Sequence, residues 1–199
     1  MPSSSRSPFK GKWLSPEVFL SGDPLSRIGK ADIEFLKRRS GENPRKRVRI
    51  CAHKNEREPH QDMFIVVERG VYIRPHKHLA RAESLEVLEG AADAVFFNER
   101  GSVTDVIRLG DYRSKRRFYY RVARPVFHTL LPRSDQLVLH ESTIGPFDRS
   151  KTVFAPWSPH ERNGKAVKVF LETLSRSIRR FEIRQSPPRI SQRYLRMVK

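Results

Sequence analysis

The sequence holds a single cysteine, Cys51, among 199 residues, which excludes an intrachain disulfide framework and a zinc site built from several thiolates. No apolar run approaches the ~18 residues that a membrane-spanning helix needs. The opening stretch MPSSSRSPFKGKW lacks the apolar core of a secretory signal, so a cytoplasmic setting is the expectation. There is no internal repeat, no strand–helix alternation of the kind that builds a parallel sheet, and no helix-turn-helix pattern. Acidic residues are scarce: 22 Asp and Glu stand against 40 Lys and Arg, for a net charge of +18. That deficit sits at the ends, with +7 over residues 1–50, +2 over 51–150 and +9 over 151–199. A charge excess carried outside the central region reads as basic tails, able to touch nucleic acid or an acidic membrane surface.

What is present falls into four parts. Residues 1–24, rich in Ser, Pro and Gly, read as a flexible segment that Trp13 and Phe19 can anchor. Residues 25–45 hold a helix and linker. Leu25, Ile28, Ile33 and Leu36 share one face, Ser26 or Asp32 offers a cap, and SGENP at 40–44 ends the helix. From residue 46 to about 160 the pattern changes to short strands separated by turn signals, as expected of a mainly β, antiparallel sandwich or barrel. Residues 161–199 continue as a basic amphipathic helix over 166–183 and a tail.

Polar chemistry concentrates in GVYIRPHKHLARAESLEVLEG, residues 70–90. In an extended strand His76 and His78 project from one face, and Tyr72 and Arg74 share their parity. After a short turn Glu83 opens the next strand on the face of Leu85 and Val87. Glu86 points the other way and Glu89 lies too far along. A hairpin of this kind brings two imidazoles and one carboxylate to a common point, the donor set of a metal site with open positions. Further along, Glu141 shares the parity of Leu137 and Leu139 and is expected to be an inward carboxylate, a candidate catalytic acid/base.

The string matches G-x5-H-x-H-x4-E-x6-G at Gly70, His76, His78, Glu83 and Gly90, and so resembles the first motif of the cupins. The wider pattern is similar to the WbuC family of cupin-fold metalloproteins. It includes RVRICAH (47–53), HQDMFIV (60–66), YIRPHKH (72–78), ESLEVLEG, FHTLLP, HES-x-x-GPF (140–147) and FAPWSP (154–159). The resemblance covers roughly residues 45–160 and implies a single jelly-roll barrel; the short N-terminal helix and the basic C-terminal helix and tail, read from the pattern, lie outside it. It also implies one divalent transition metal (Fe, Mn, Ni, Co or Zn) held by His76, His78, Glu83 and His128. The second cupin motif is not kept around His128: Pro125 precedes it by three residues, without the usual Gly and Asn.

By parity Tyr72 and Arg74 point inward if His76 does, which makes Arg74 a candidate for an anionic ligand group, and His53 and Gln61 fall in segments that recur in the resemblance; all four are candidate contacts to a small-molecule ligand. Two functional readings follow. One is a metal-dependent enzyme acting on a small polar molecule, a sugar or sugar nucleotide of surface-polysaccharide (O-antigen) synthesis. The other is a non-catalytic metal- or ligand-binding cupin with a sensor or assembly role. A homodimer is compatible with both.

Overall fold

The computed structural model describes residues 10–185; the expected C-terminal tail lies outside them. Two short strands, β1 (Lys12–Ser15) and β2 (Val18–Leu20), precede helix α1 (Lys30–Glu42). Then come β3 (Arg47–Cys51), β4 (His60–Glu68), β5 (His76–His78), β6 (Glu83–Glu89), β7 (Ala91–Phe97) and β8 (Val103–Gly110). The chain continues with β9 (Tyr119–Val122), β10 (Phe127–Pro132), β11 (Gln136–Ile144), β12 (Thr152–Phe154) and helix α2 (Gly164–Gln185). The strands form a seven-stranded sheet, β1-β2-β3-β4-β11-β6-β9, and a five-stranded sheet, β12-β5-β10-β7-β8. Every pairing between these strands is antiparallel except β2 with β3. The architecture is the expected mainly β, antiparallel two-sheet barrel, with a helix packed on each side.

Period-2 patterning decides which residues face the interior. On β4, Met63, Ile65 and Val67 join Leu85 and Val87 of β6, Ala92, Ala94 and Phe96 of β7, Leu130 of β10, and Leu137 and Leu139 of β11 in the core between the sheets. The intervening Val66 and Val138 turn outward, where Ile33, Phe35 and Leu36 of α1 cover them together with Val48 and Ile50. On the opposite side Val95, Phe97, Phe127 and Leu131 pack against Leu174 and Ile178 of α2. The two helices thus explain why strands of both sheets are apolar on both faces.

Three expectations are corrected. Residues 12–20 are strands rather than a loop, because Phe19 is buried in the α1 cluster and Trp13 meets its ring edge-on at 5.2 Å. Helix α1 starts at Lys30, after Gly29, whose N–H donates to the Asp32 carboxylate at 2.7 Å, so Asp32 caps from the third helical position. The expected strand over 71–78 is laddered only at His76–His78.

Two motif glycines adopt left-handed backbone: Gly70 at φ +79° and Gly90 at φ +89°. A Cβ on Gly70 would meet nothing within 4 Å, whereas one on Gly90 would strike the Ser134 side chain and lie 2.6 Å from the Gln136 carbonyl oxygen. Gly70→Ala is therefore expected to destabilise by about 1 kcal/mol, from backbone conformation alone. Gly90→Ala should lose more than about 3 kcal/mol, because overpacking adds to the same strain. Urea denaturation of the two variants checks the difference.

Candidate metal centre

Register places the site. β5 lies between β10 and β12, with His76 opposite both His128 and Phe154, and His78 opposite Thr152. His76 and His78 are two residues apart on one strand and His128 is on its neighbour, so the three imidazoles share one face of the five-stranded sheet. Ring centroids are 4.7 Å apart for His76–His128, 4.9 Å for His76–His78 and 5.9 Å for His78–His128. Their ligating nitrogens all lie within 4.8 Å of one another. Glu83 faces them from the other sheet, its parity as the sequence implied. One carboxylate oxygen is 3.0 Å from His78 Nε2 and the other 3.4 Å from His128 Nε2. His78, Glu83 and His128 are buried, and His76 is partly so.

The second ring nitrogens are also held. His76 Nδ1 lies 2.9 Å from the Arg74 carbonyl and His128 Nδ1 3.0 Å from the Val126 carbonyl. A carbonyl only accepts, so Nδ1 of both rings carries a proton; the neutral His76 then turns the Nε2 lone pair to the cluster, whereas Nε2 of His128 faces the Glu83 carboxylate and, when protonated, donates to it. His78 Nδ1 has Thr152 Oγ1 at 3.2 Å and Arg81 Nη2 at 3.3 Å. Oriented imidazoles with fixed tautomers and one adjacent carboxylate are a donor set that fits a divalent transition metal.

Burial and mutual charge set the protonation pattern. Burial, aided by the nearby His128, pushes His76 down to about 4. Burial alone would raise Glu83, but hydrogen bonds to His128 and His78 outweigh it and hold its carboxyl far below the ordinary range. Burial likewise opposes the charge on His128, yet the bond to Glu83 wins and raises that imidazole above its ordinary value.

Glu141 on β11 lies opposite Leu85 of β6 and Met63 of β4, two positions from the Thr143–Glu83 pairing. It makes no hydrogen bond or ion pair among the described residues. Burial, and then the negative charge of Glu83, push it up to about 7. Tyr120 points to the same interior, and burial with the charges of Glu83 and Glu141 raises its phenol well above normal. Two carboxyls pushed in opposite directions give one permanent anion and one acid that titrates near neutrality.

The other residues singled out from sequence are placed differently. Tyr72 and Arg74 do not share the inward face. Residues 71–75 belong to no ladder, Pro75 interrupts the strand, and Val71 and Ile73 take the inward side. Tyr72 donates to the Pro159 carbonyl at 3.0 Å and lines an outer cleft of about 570 Å³ with Arg45, Arg69 and Glu161. Arg74 donates to Ser158 Oγ at 3.1 Å and lies over the Phe154 ring. His53 is buried with Nδ1 3.2 Å from the Asp62 carbonyl, and Gln61 donates to the Glu56 carbonyl at 2.8 Å. Both are engaged with backbone of the 53–62 segment.

Two cations escaped the sequence reading. The field of Arg49 and Arg81 reaches Glu141, and Arg81 also touches His78. Arg49 was legible in principle: in RVRIC the apolar Val48 and Ile50 lie under α1, which turns Arg49 to the side of Cys51 and the interior. Burial raises the Cys51 thiol to about 11, so it stays protonated and unreactive.

A family model described as a domain of unknown function (DUF6016) matches residues 28–109. No curated protein matches the chain. Among solved structures, protein SO0799 from Shewanella oneidensis is 16% identical over 49% of this chain and 63% of its own, with a TM-score of 0.41. The capsular polysaccharide assembling protein CapF from Staphylococcus aureus is 17% identical over 49% of this chain and 27% of its own, TM-score 0.41. Salicylate 1,2-dioxygenase from Pseudoaminobacter salicylatoxidans is 16% identical over 55% of this chain and 29% of its own, TM-score 0.42. This chain thus spans less than two thirds of each of those proteins, and likeness at this level transfers no chemistry from them.

The pKa directions fix a pH dependence for the metal-free protein. Between about 4.5 and about 7 the folded state keeps the Glu141 proton while the unfolded chain releases it, so this group's contribution falls as pH rises. His76 acts oppositely: its folded value is depressed, so stability is lost as pH falls from 6.5 toward about 4. Glu141→Gln is therefore expected to match the parent in mild acid and to exceed it in stability above pH ~7. Urea denaturation across a pH series reads the divergence, and parallel curves would contradict the assignment.

Proposed function

We propose that the chain is a metal-dependent enzyme of the cupin type, whose centre is His76, His78 and His128 with Glu83 as the accompanying carboxylate. The observation that carries this reading is the triad itself: three buried or partly buried imidazoles on one sheet face, two with Nδ1 committed to carbonyls. A packed histidine needs no such convergence, and mutual repulsion on protonation makes it unfavourable without a function. A bound divalent ion supplies Lewis acidity at an oxygen of the substrate or of water.

The chain's own groups account for the rest. Glu83 neutralises charge beside the imidazoles. Glu141, titrating near neutrality and without a hydrogen-bond or ion-pair partner among the described residues, holds or releases a proton at the interior face of β11, as a general acid/base must. Arg49 and Arg81 supply positive potential for an anionic or strongly polar group, the role that the sequence had given to Arg74. A small polar, anionic molecule is the substrate class supported by this lining. The sequence resemblance to the WbuC family favours a sugar or sugar nucleotide of surface-polysaccharide synthesis. No helix among the described residues is long and apolar enough to cross a membrane.

Elemental analysis of the purified protein and of His76→Ala, His78→Ala and His128→Ala tests the centre. The parent is expected to carry close to one transition metal per chain. Each variant should lose about 100-fold or more in affinity, since removing a ligand exceeds the 10–100-fold effect of removing a ligand's support. Unchanged metal content in His128→Ala would reduce the site to the His76–His78 strand. Unchanged content in all three would leave a metal-free binding module as the better reading.

A further inference from the structure

The near-balance of charge over residues 51–150 conceals a strong local asymmetry. Residues 113–124, RSKRRFYYRVAR, contain six Lys or Arg and no Asp or Glu. All six are exposed and none makes an ion pair among the described residues. Within the same segment and its approach lie three solvent-exposed aromatic rings: Tyr112 is 80% exposed, Tyr119 46% and Phe118 38%. Tyr112 and Phe118 meet edge-to-face at 5.4 Å.

The segment is also pre-shaped. Asp111, the one acid of the loop, accepts from the backbone N–H groups of Arg113 and Ser114, at 3.0 and 3.1 Å, and pairs with no arginine among the described residues, so its single charge stands against six. Gly110 N–H donates to the Arg117 carbonyl at 2.9 Å, which closes the loop. β9 is the terminal strand of its sheet, paired only with β6, and Tyr119 is fixed by a 3.0 Å hydrogen bond from its hydroxyl to Ser84 Oγ.

Basic side chains on an edge strand are commonly explained as a guard against strand addition. That account covers the charges, but it gives no reason to hold three aromatic rings in solvent. We propose that this surface, built from the 111–118 loop and β9, binds single-stranded nucleic acid. The guanidinium and ammonium groups take the phosphates, and Tyr112 with Phe118 offers ring faces and edges to unpaired bases. The large exposed apolar groups in the segment are aromatic, two of them with hydroxyls, and no exposed Leu or Ile is present to act as a bilayer wedge. On β9 the exposed Tyr119 and Arg121 leave the face opposite the buried Tyr120, which turns to the interior.

Fluorescence anisotropy of the full chain with a fluorescein-labelled oligouridylate of about 12 nucleotides tests the proposal. Binding should weaken with salt at a log–log slope of about −3, equivalent to four or five phosphate contacts. Tyr112→Ala should weaken binding about tenfold, while Tyr112→Phe should retain it, because the ring and not the hydroxyl stacks. Combined Arg113→Glu, Lys115→Glu and Arg117→Glu should abolish it. Thermal melting, expected to match the parent for the 80%-exposed Tyr112 variants, certifies their fold. Parent-like binding by the charge-reversal variant would place any affinity in the basic ends and overturn the proposal. So would insensitivity to Tyr112→Ala, the mark of unspecific charge attraction. Binding to phosphatidylserine-containing vesicles with none to the oligonucleotide would overturn it in favour of a membrane surface.

Discussion

A carboxylate cannot stay ionised inside a barrel unless something opposite compensates it, and Glu83 is compensated by His78 and His128 from the other sheet. This contact joins the seven-stranded sheet to the five-stranded one at the polar end of an interior that is otherwise apolar. Its geometry depends on two registers at once, His76 against His128 and Glu83 against Thr143. A one-residue slip in either strand would turn the imidazoles or the carboxylate to the outside. The same contact organises the charges around it. It favours a protonated His128, whose charge adds to burial in keeping His76 neutral, and the charge of Glu83 adds to burial in lifting Glu141 to about 7.

The two helices make this interior available. Because α1 covers Val66 and Val138 and α2 covers Val95 and Phe97, apolar side chains outside the sheets are buried without occupying the space between them. Both ends of the chain contribute: β1 and β2 extend the seven-stranded sheet beyond β3, and α2 seals the back of β7 and β10. The segments flanking the barrel are therefore built into it as far as residues 12 and 185.

What was legible in the sequence was whatever obeys strict alternation. ESLEVLE placed Glu83 inward and Glu86 outward, and the burial pattern of β6 follows it. His76, His78 and His128 were readable from spacing together with family resemblance. Alternation failed where the ladder stops. Across Pro75 the inward residues change from Val71 and Ile73 to His76 and His78, so Tyr72 and Arg74 were assigned to the wrong side. Arg49 was missed because a charged residue inside a barrel is read against burial, and only the presence of α1 shows which β3 face is outside. The basic surface near β9 was missed for a different reason. Summed over a hundred residues its charge is cancelled by acids elsewhere, so that only the fold separates them.

The central claim, that buried imidazoles converge on one divalent ion, is tested most directly by X-ray absorption at the metal edge of the loaded protein. The account predicts multiple-scattering features of at least three imidazoles per metal, with one carboxylate oxygen or solvent completing the shell. A shell of oxygen alone, or of a single imidazole, would contradict it.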